Sequence, residues 1–274
     1  MKVRDLLVAG TEELERAGVP SPRVDAEWLL AHTLGVSRTE LYADGDEAPA
    51  DRERAFRELV ARRATREPLA YVLGEWGFRR LTLVVDPRVL IPRPETEVLV
   101  ERCLALIAAL PESRVLDIGT GSCAIALLIA DEHPGAKVVG TDTSADALTV
   151  AAENRDRIGL DVELVEGELF AGLDGPYDLV VSNPPYVAPD DVQWLPPEVG
   201  EHEPRAALVE SGATEAIAAE APGRLVPGGS LAFEVADGKA GAVAALLREL
   251  GYEEVTIGKD LAERERVVDG RAPR

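Results

Sequence analysis

Apolar residues recur at helical spacing through the first quarter of the chain, then give way to short apolar runs separated by glycine, proline and charge. Val3, Leu6, Leu7 and Leu14 predict a helix over 3–17. Ser21-Pro22 reads as an N-cap followed by proline at the first helical position, with Val24, Trp28, Leu29 and Leu34 on the inward face of the helix behind it. Asp51 is the expected cap of a third helix, with Phe56, Leu59 and Val60 inward and Arg52, Arg54, Arg57, Arg62 and Arg63 outward on a solvated face. Residues 1–67 are therefore expected to form a small helical domain.

Between 68 and 94 the texture changes. Prolines at 68, 87, 92 and 94 and glycines at 74 and 77 interrupt the β-prone pieces Leu81–Val85 and Val89–Ile91, which predicts a linker carrying a β-hairpin. From 95 to 274 helix and strand alternate. A helix is expected over Glu97–Leu110, with strands at Arg114–Asp117, Lys137–Asp142, Asp161–Val165, Asp178–Asn183 and Ser230–Val235, and helices at about 124–132 and 145–157 between them. Strands joined by helices of this length imply βαβ units and a mostly parallel sheet. Two further strands, split by the charged Gly258–Arg266, suit an antiparallel pair at the edge. The expected fold class is thus α/β.

Composition narrows the function classes. The chain has 274 residues and a formal net charge of −21. Residues 1–95 hold 15 Lys+Arg against 17 Asp+Glu, while the rest hold 14 against 33. A nucleic-acid binder needs the opposite sign to meet phosphates, so no direct nucleic-acid partner is expected. Cys103 and Cys123 make no disulfide framework, and His32, His133 and His202 are scattered, so no metal site is expected. The polar opening Met-Lys-Val-Arg-Asp argues against a signal peptide, and no long apolar run suggests a membrane span. The simplest class is a cytoplasmic enzyme, expected to act as a monomer.

Val115-Leu-Asp-Ile-Gly-Thr-Gly-Ser-Cys-Ala-Ile-Ala-Leu-Leu-Ile129 reads as a strand, a tight glycine turn and a helix. Glycines admit close backbone approach, and a helix N-terminus favours an anionic group. Position 124 is Ala, so the dinucleotide spacing is missing, and no Gly-Lys-Ser/Thr follows. The loop alone leaves open a nucleotide site or a tight turn without ligand. Asp142 ends the next strand, at a distance suited to a carboxylate that grips a ribose diol. An N-cap for the helix beginning near Ser144 is the other reading, and both can hold.

Asn183-Pro-Pro-Tyr186 follows the apolar run Tyr177–Ser182. Open α/β sheets bind ligands beyond the carboxyl ends of their strands. There an Asn side-chain oxygen and the Pro184 carbonyl make two acceptors for a planar –NH2, and Tyr186 can cover its flat face. A plain proline turn is the alternative.

With these residues in place, the chain resembles the HemK-type (PrmC) protein-(glutamine N5)-methyltransferases over nearly its whole length. Asp25-Ala-Glu-Trp-Leu-Leu-Ala31 is similar to the family's helical signature, Glu67–Gly74 with Phe78 to its linker, and Leu90-Ile-Pro-Arg-Pro-Glu-Thr-Glu97 to its entry motif. Glu203–Leu208, Lys259–Leu261 and Arg266–Val268 resemble later signatures. The resemblance implies a Rossmann-like class I methyltransferase domain with a seven-stranded sheet over 95–274, a substrate-recognition domain over 1–67 and a linker over 68–94. It implies S-adenosylmethionine as cofactor and the Gly-Gly-Gln glutamine of peptide chain release factors as substrate. Gly119, Thr120, Gly121, Ser122, Cys123, Asp142, Leu169 and Asn183 would hold the cofactor, with Leu169-Phe170 over the adenine. Asn183, Pro184, Pro185 and Tyr186 would form the substrate pocket, with Asn183, Pro184 and Tyr186 catalytic. The chain departs from the family pattern at Cys123, Glu168, Ala236, Lys239 and Val209–Ala213. The alternatives are a ribosomal-protein glutamine methyltransferase, an adenine-N6 nucleic-acid methyltransferase, and a cofactor-binding protein without catalysis.

Overall fold

The computed structural model describes residues 1–42 and 47–273. The chain divides into two compact units, Met1–Glu75 with Leu195–His202, and Trp76–Trp194 with Glu203–Arg274.

In the first unit three helices, α1 (Val3–Arg16), α2 (Pro22–Leu34) and α3 (Ala50–Ala64), are followed by the short α4 (Leu69–Leu73). Leu6, Leu14, Leu29, Leu30, Phe56 and Val60 meet in their core. Each fully buried side chain of this size contributes roughly 1.5–3 kcal/mol. Helix α2 differs from the expectation: Val24 and Trp28 are exposed, and Ala26, Leu29, Leu30 and Ala31 take the inward positions. Its inward face also carries Asp25 and Glu27. Arg63 Nε meets Asp25 at 2.8 Å, and Arg38 and Arg23 meet Glu27 at 2.5 and 2.8 Å. Arg63 is accordingly buried and not outward. Asp51 lies in the first turn of α3, whose N-cap is Pro49. Ser21 does take the N-cap position of α2, though its side chain makes no capping bond.

The second unit begins with a two-stranded sheet of β1 (Glu75–Phe78) and β2 (Leu81–Val84). The hairpin therefore forms one segment earlier than the β-prone pieces predicted, and Val89–Ile91 is irregular chain. After α5 (Thr96–Ile107), strands β3 (Ser113–Ile118), β4 (Ala136–Asp142), β5 (Val162–Glu166), β6 (Tyr177–Ser182), β7 (Leu225–Glu234), β8 (Glu253–Lys259) and β9 (Glu265–Arg271) build one sheet. Its order is β5-β4-β3-β6-β7-β9-β8. The first five strands are parallel, and β9 runs antiparallel to both β7 and β8. The strands expected over 95–274 are all present, each within a few residues.

Helices α6 (Ala124–Glu132) and α7 (Ala145–Ile158) connect β3 to β4 and β4 to β5. Leu116, Val180, Leu231 and Phe233 form part of one core, buried against the helix Ala240–Glu249. The strand order reverses between β3 and β6. Chain leaving β3 turns to one side, and chain leaving β6 turns to the other, so a crevice opens at their carboxyl ends. Among the described residues, no helix is long and apolar enough to cross a membrane.

Candidate active site

Sheet register brings the candidate residues together. Ile118 of β3 pairs with Thr141 of β4 and with Ser182 of β6, and Ser182 pairs with Phe233 of β7. The next residue on each strand path is Gly119, Asp142, Asn183 and Glu234. These four thus share one row at the carboxyl edge. The row is pinned by the Ser182 hydroxyl, which donates to the Ile118 carbonyl at 2.7 Å.

The glycine loop is held from below. The Gly119 and Thr120 amides donate to the Thr141 carbonyl at 2.8 and 2.9 Å. Gly119 and Gly121 have φ of +74° and +54°, a region that L side chains avoid, and a Cβ at Gly119 would point into open space. Gly140 serves differently. A Cβ there would come within 2.8 Å of Thr120 Oγ1, so the bare backbone of β4 lets the loop lie against it. Cys123 also takes the left-handed conformation, at φ +69°, as the N-cap of α6. Its side chain is fully buried, and burial pushes the thiol up to about 12, with Asp117 adding to the rise.

Two acids frame this loop. Asp117 is fully buried; its Oδ2 accepts the Thr120 hydroxyl at 2.7 Å, while Oδ1 accepts no hydrogen bond. Burial pushes its carboxyl up to about 7, and the Thr120 hydroxyl opposes the rise. Asp142 uses one oxygen for each side of its turn: Oδ2 accepts the Gly121 amide at 3.0 Å and Oδ1 the Ser144 amide at 2.9 Å. The side-chain cap of α7 is Ser144, whose Oγ accepts from Ala147. The side-chain cap therefore falls to Ser144, and Asp142 links the start of α7 to the glycine loop.

Behind the loop, Asn154 of α7 is fully buried. Its Nδ2 donates to the carbonyls of Ser122 and Val84 at 3.0 Å each, and its Oδ1 accepts the Val84 amide at 2.6 Å. One side chain therefore joins β2 to the glycine loop.

On the β6 side, Pro184 is buried, and Asn183, Pro185 and Tyr186 are half-buried. Asn183 Nδ2 lies 3.5 Å from Thr96 Oγ1, and the Thr96 hydroxyl donates to Glu234 Oε2 at 2.6 Å. Burial pushes Tyr186 up to about 12, with Glu234 adding, so its hydroxyl stays a neutral phenol. The chain leading into Thr96 is fixed by Glu203, which accepts the Ile91 amide at 3.4 Å and pairs with Arg93. Burial raises the Glu203 carboxyl, and Arg93 opposes the rise.

Thr96, Glu203 and Glu234 had no assigned role in the sequence reading. A signal was present for Glu234: it is the lone acid inside the apolar run Leu231-Ala-Phe-Glu-Val235. Leu169 and Phe170 separate. Leu169 is half-buried with φ +51°, whereas Phe170 is buried in the core with the Arg224 guanidinium over its ring. Of that pair only Leu169 is available to a ligand.

Known proteins place this arrangement. Residues 5–74 match the PrmC N-terminal domain, and residues 95–195 match the methyltransferase small domain. A release factor glutamine methyltransferase of Deinococcus radiodurans is 46% identical over 99% of both chains. One from Geobacter sulfurreducens is 44% identical over 94% of this chain and 92% of that one. The catalytic domain of hMettl16, solved with an RNA hairpin, superposes with a TM-score of 0.59 over 78% of this chain and 81% of that one. It is only 19% identical, which speaks for a shared class I methyltransferase fold. Identity of this level over the full length of the glutamine-modifying relatives settles the assignment: the chain belongs to the release factor glutamine methyltransferase family.

Proposed function

We propose that this protein transfers the methyl group of S-adenosylmethionine to the side-chain amide nitrogen of the glutamine in the Gly-Gly-Gln motif of peptide chain release factors. The observation that carries the reading is the pairing of Ile118 with Ser182. It starts the glycine loop and the Asn-Pro-Pro-Tyr turn side by side, in a chain whose relatives are named for this reaction.

The cofactor fits the residues present. Gly119, Thr120, Gly121, Ser122 and Cys123 form the bend, and open space lies over Gly119. The unpartnered Asp117 Oδ1 lies beneath the bend, and the Asp142 carboxylate lies beside it. Gly119 to Gly121 would approach the methionine part, Asp142 would take the ribose hydroxyls, and Leu169 would lie on the adenine. Bound there, S-adenosylmethionine supplies a sulfonium methyl that is already activated.

The protein's own part is position and field. An amide nitrogen is a weak nucleophile because its lone pair is shared with the carbonyl. Asn183 Oδ1 and the Pro184 carbonyl would each accept one N–H of the substrate –NH2, fixing its plane and favouring the N–H groups as they become acidic. The rigid Pro184-Pro185 pair holds those acceptors still, and the Tyr186 ring would cover the amide and favour neighbouring positive charge. The N-terminal helical unit is the natural selector of the protein substrate, and the enzyme would work as a cytoplasmic monomer.

The test incubates the protein with purified release factors and S-adenosylmethionine, followed by peptide mass spectrometry. One added methyl on the Gly-Gly-Gln glutamine is the expected result. Methylation of a ribosomal protein in its place would overturn the substrate assignment.

A further inference from the structure

A carboxamide can turn either its oxygen or its NH2 toward a ligand, and the two faces are alike in shape. A substrate –NH2 needs the oxygen, so something must set which way round Asn183 sits. Two residues from distant parts of the chain converge on its inner side. Thr96 begins α5, and Glu234 ends β7 one place beyond the register row that Asn183 follows.

The direction of the contacts is set by Glu234. Once ionised, its carboxylate only accepts, so the Thr96 hydroxyl then donates to it across the 2.6 Å contact. With its proton so used, Thr96 Oγ1 presents lone pairs to Asn183, and the matching partner is the Asn183 NH2, at 3.5 Å. Placing Oδ1 there would set acceptor against acceptor. Burying a carboxylate to 1% exposure is costly, and Glu234 has an oxygen, Oε1, without a hydrogen-bond partner. Packing alone gives no reason for an acid at the end of an apolar strand.

We propose that Thr96 and Glu234 are positioning residues that hold the Asn183 carboxamide with its NH2 inward and its Oδ1 toward the substrate amide. The proposal rests on the methyltransferase reading above and adds to it what sets the acceptor's orientation.

Proton uptake by Glu234 undoes the arrangement. A protonated Glu234 can donate to Thr96, which can then donate to Asn183 Oδ1 and turn the NH2 outward. Burial pushes Glu234 up to about 7; Thr96 opposes the rise, Glu95 adds to it, and Arg266 and Asn183 oppose it. The other charged or titratable groups around it are Tyr186, Arg93 near Tyr186, and Asp260, which pairs with Arg266 at 3.5 Å.

Three variants and two readouts test this. In steady-state assays on a release factor, Thr96→Val should lower kcat at least tenfold, while the S-adenosylmethionine Kd and the release-factor KM stay within about twofold. Thr96→Ser should recover most of the loss. The wild-type kcat should fall on the acid side of about pH 7, and Glu234→Gln should flatten that limb. Independently of activity, the Asn183 side-chain 15N resonance, identified by its absence in Asn183→Ala, should titrate near pH 7 in the wild type and not in Glu234→Gln. Wild-type turnover by a folded Thr96→Val protein, or an unchanged acid limb in Glu234→Gln, would overturn the proposal. If Thr96→Val does not fold, the Glu234→Gln profile and the resonance decide alone. A wild type that fails to methylate release factors would overturn the functional reading instead, and the resonance would still judge the orientation.

Discussion

Asp142 holds Gly121: the carboxylate that ends β4 accepts the amide of the second loop glycine at 3.0 Å, while its other oxygen takes the Ser144 amide. The same residue that is offered to the ribose thus also shapes the bend. Asp142→Ala should therefore weaken S-adenosylmethionine binding on two counts, by about 10- to 100-fold, since a charge-assisted hydrogen bond is worth roughly 1.5–3 kcal/mol. Calorimetric titration reads this directly. An unchanged Kd would remove Asp142 from the binding site.

Asn183→Ala separates chemistry from folding. Asn183 is half-buried, and its amide nitrogen contacts Thr96 Oγ1 at 3.5 Å and helps hold down the Glu234 carboxyl. Its loss should shift the melting temperature by only a few degrees. Methyl transfer to the release factor should fall below detection. Wild-type turnover by the folded variant would end the role given to this side chain.

Period and punctuation made much of the second unit legible. Apolar runs such as Leu179-Val-Val181 and Val138-Val139 mark strands buried on both faces, and the glycine loop marks the first βα bend. The first unit was harder. Trp28 and Val24 attract the inward assignment by hydrophobicity, yet the buried face of α2 includes Asp25 and Glu27 because arginines from elsewhere in the unit reach them. Such long-range ion pairing leaves no local periodicity. The hairpin lies elsewhere for a related reason: Glu75 and Gly77 dilute the strand signal of Trp76 and Phe78, so this segment becomes a strand through its pairing with Leu81–Val84. Thr96 and Glu203 lie 87 and 20 residues from Asn183 along the chain, and only the folded sheet edge brings their segments toward it.

The buried Asp117 predicts a pH dependence of stability. Its carboxyl is raised from 3.8 to about 7 in the fold, so the folded state holds a proton that the unfolded state has released between those values. Stability from this group is full below about pH 4, falls as pH rises toward 7, and stays reduced above it. Asp117→Asn cannot ionise. Its melting temperature relative to wild type should rise steadily from pH 4 to pH 7 and then level off, with a total change of a few kcal/mol in stability. Thermal scans of both proteins across that range measure it, and a difference independent of pH would contradict the buried-acid account.

In the first unit Arg63 ties three elements together. It meets Asp25 of α2 at 2.8 Å, the Glu67 carbonyl at 3.1 Å and Glu198 of the returning segment Leu195–His202 at 2.9 Å, while Arg66 holds Glu198 at 2.7 and 2.6 Å. Arg63→Ala would strand the buried Asp25 carboxylate and should cost about 3–5 kcal/mol. Burial opposes ionisation of Glu198, but the hydrogen bonds from Arg66 and Arg63 outweigh it and hold the carboxyl at about 2. Its contribution is present above about pH 4.5 and lost as pH falls through 2. Replacing it with Gln should flatten that part of the acid-unfolding curve. Denaturant titrations of Arg63→Ala and acid titrations of Glu198→Gln give the two numbers.

Cysteine chemistry gives the last test, and it bears on the departure at position 123. Cys103 and Cys123 are both fully buried, and burial raises both thiols, Cys123 to about 12. The thiolate is the reactive form, so near pH 8 only on the order of one Cys123 in 10,000 would be ionised even if reagent reached it. Native protein should therefore resist iodoacetamide, and both residues should react once guanidinium unfolds the chain. The Cys123 side chain is fully buried, and a Cβ built on Gly119 would meet nothing within 4 Å. Cys123→Gly should thus leave the S-adenosylmethionine Kd within about threefold of wild type. A much tighter Kd in the glycine variant would show that the thiol crowds the cofactor.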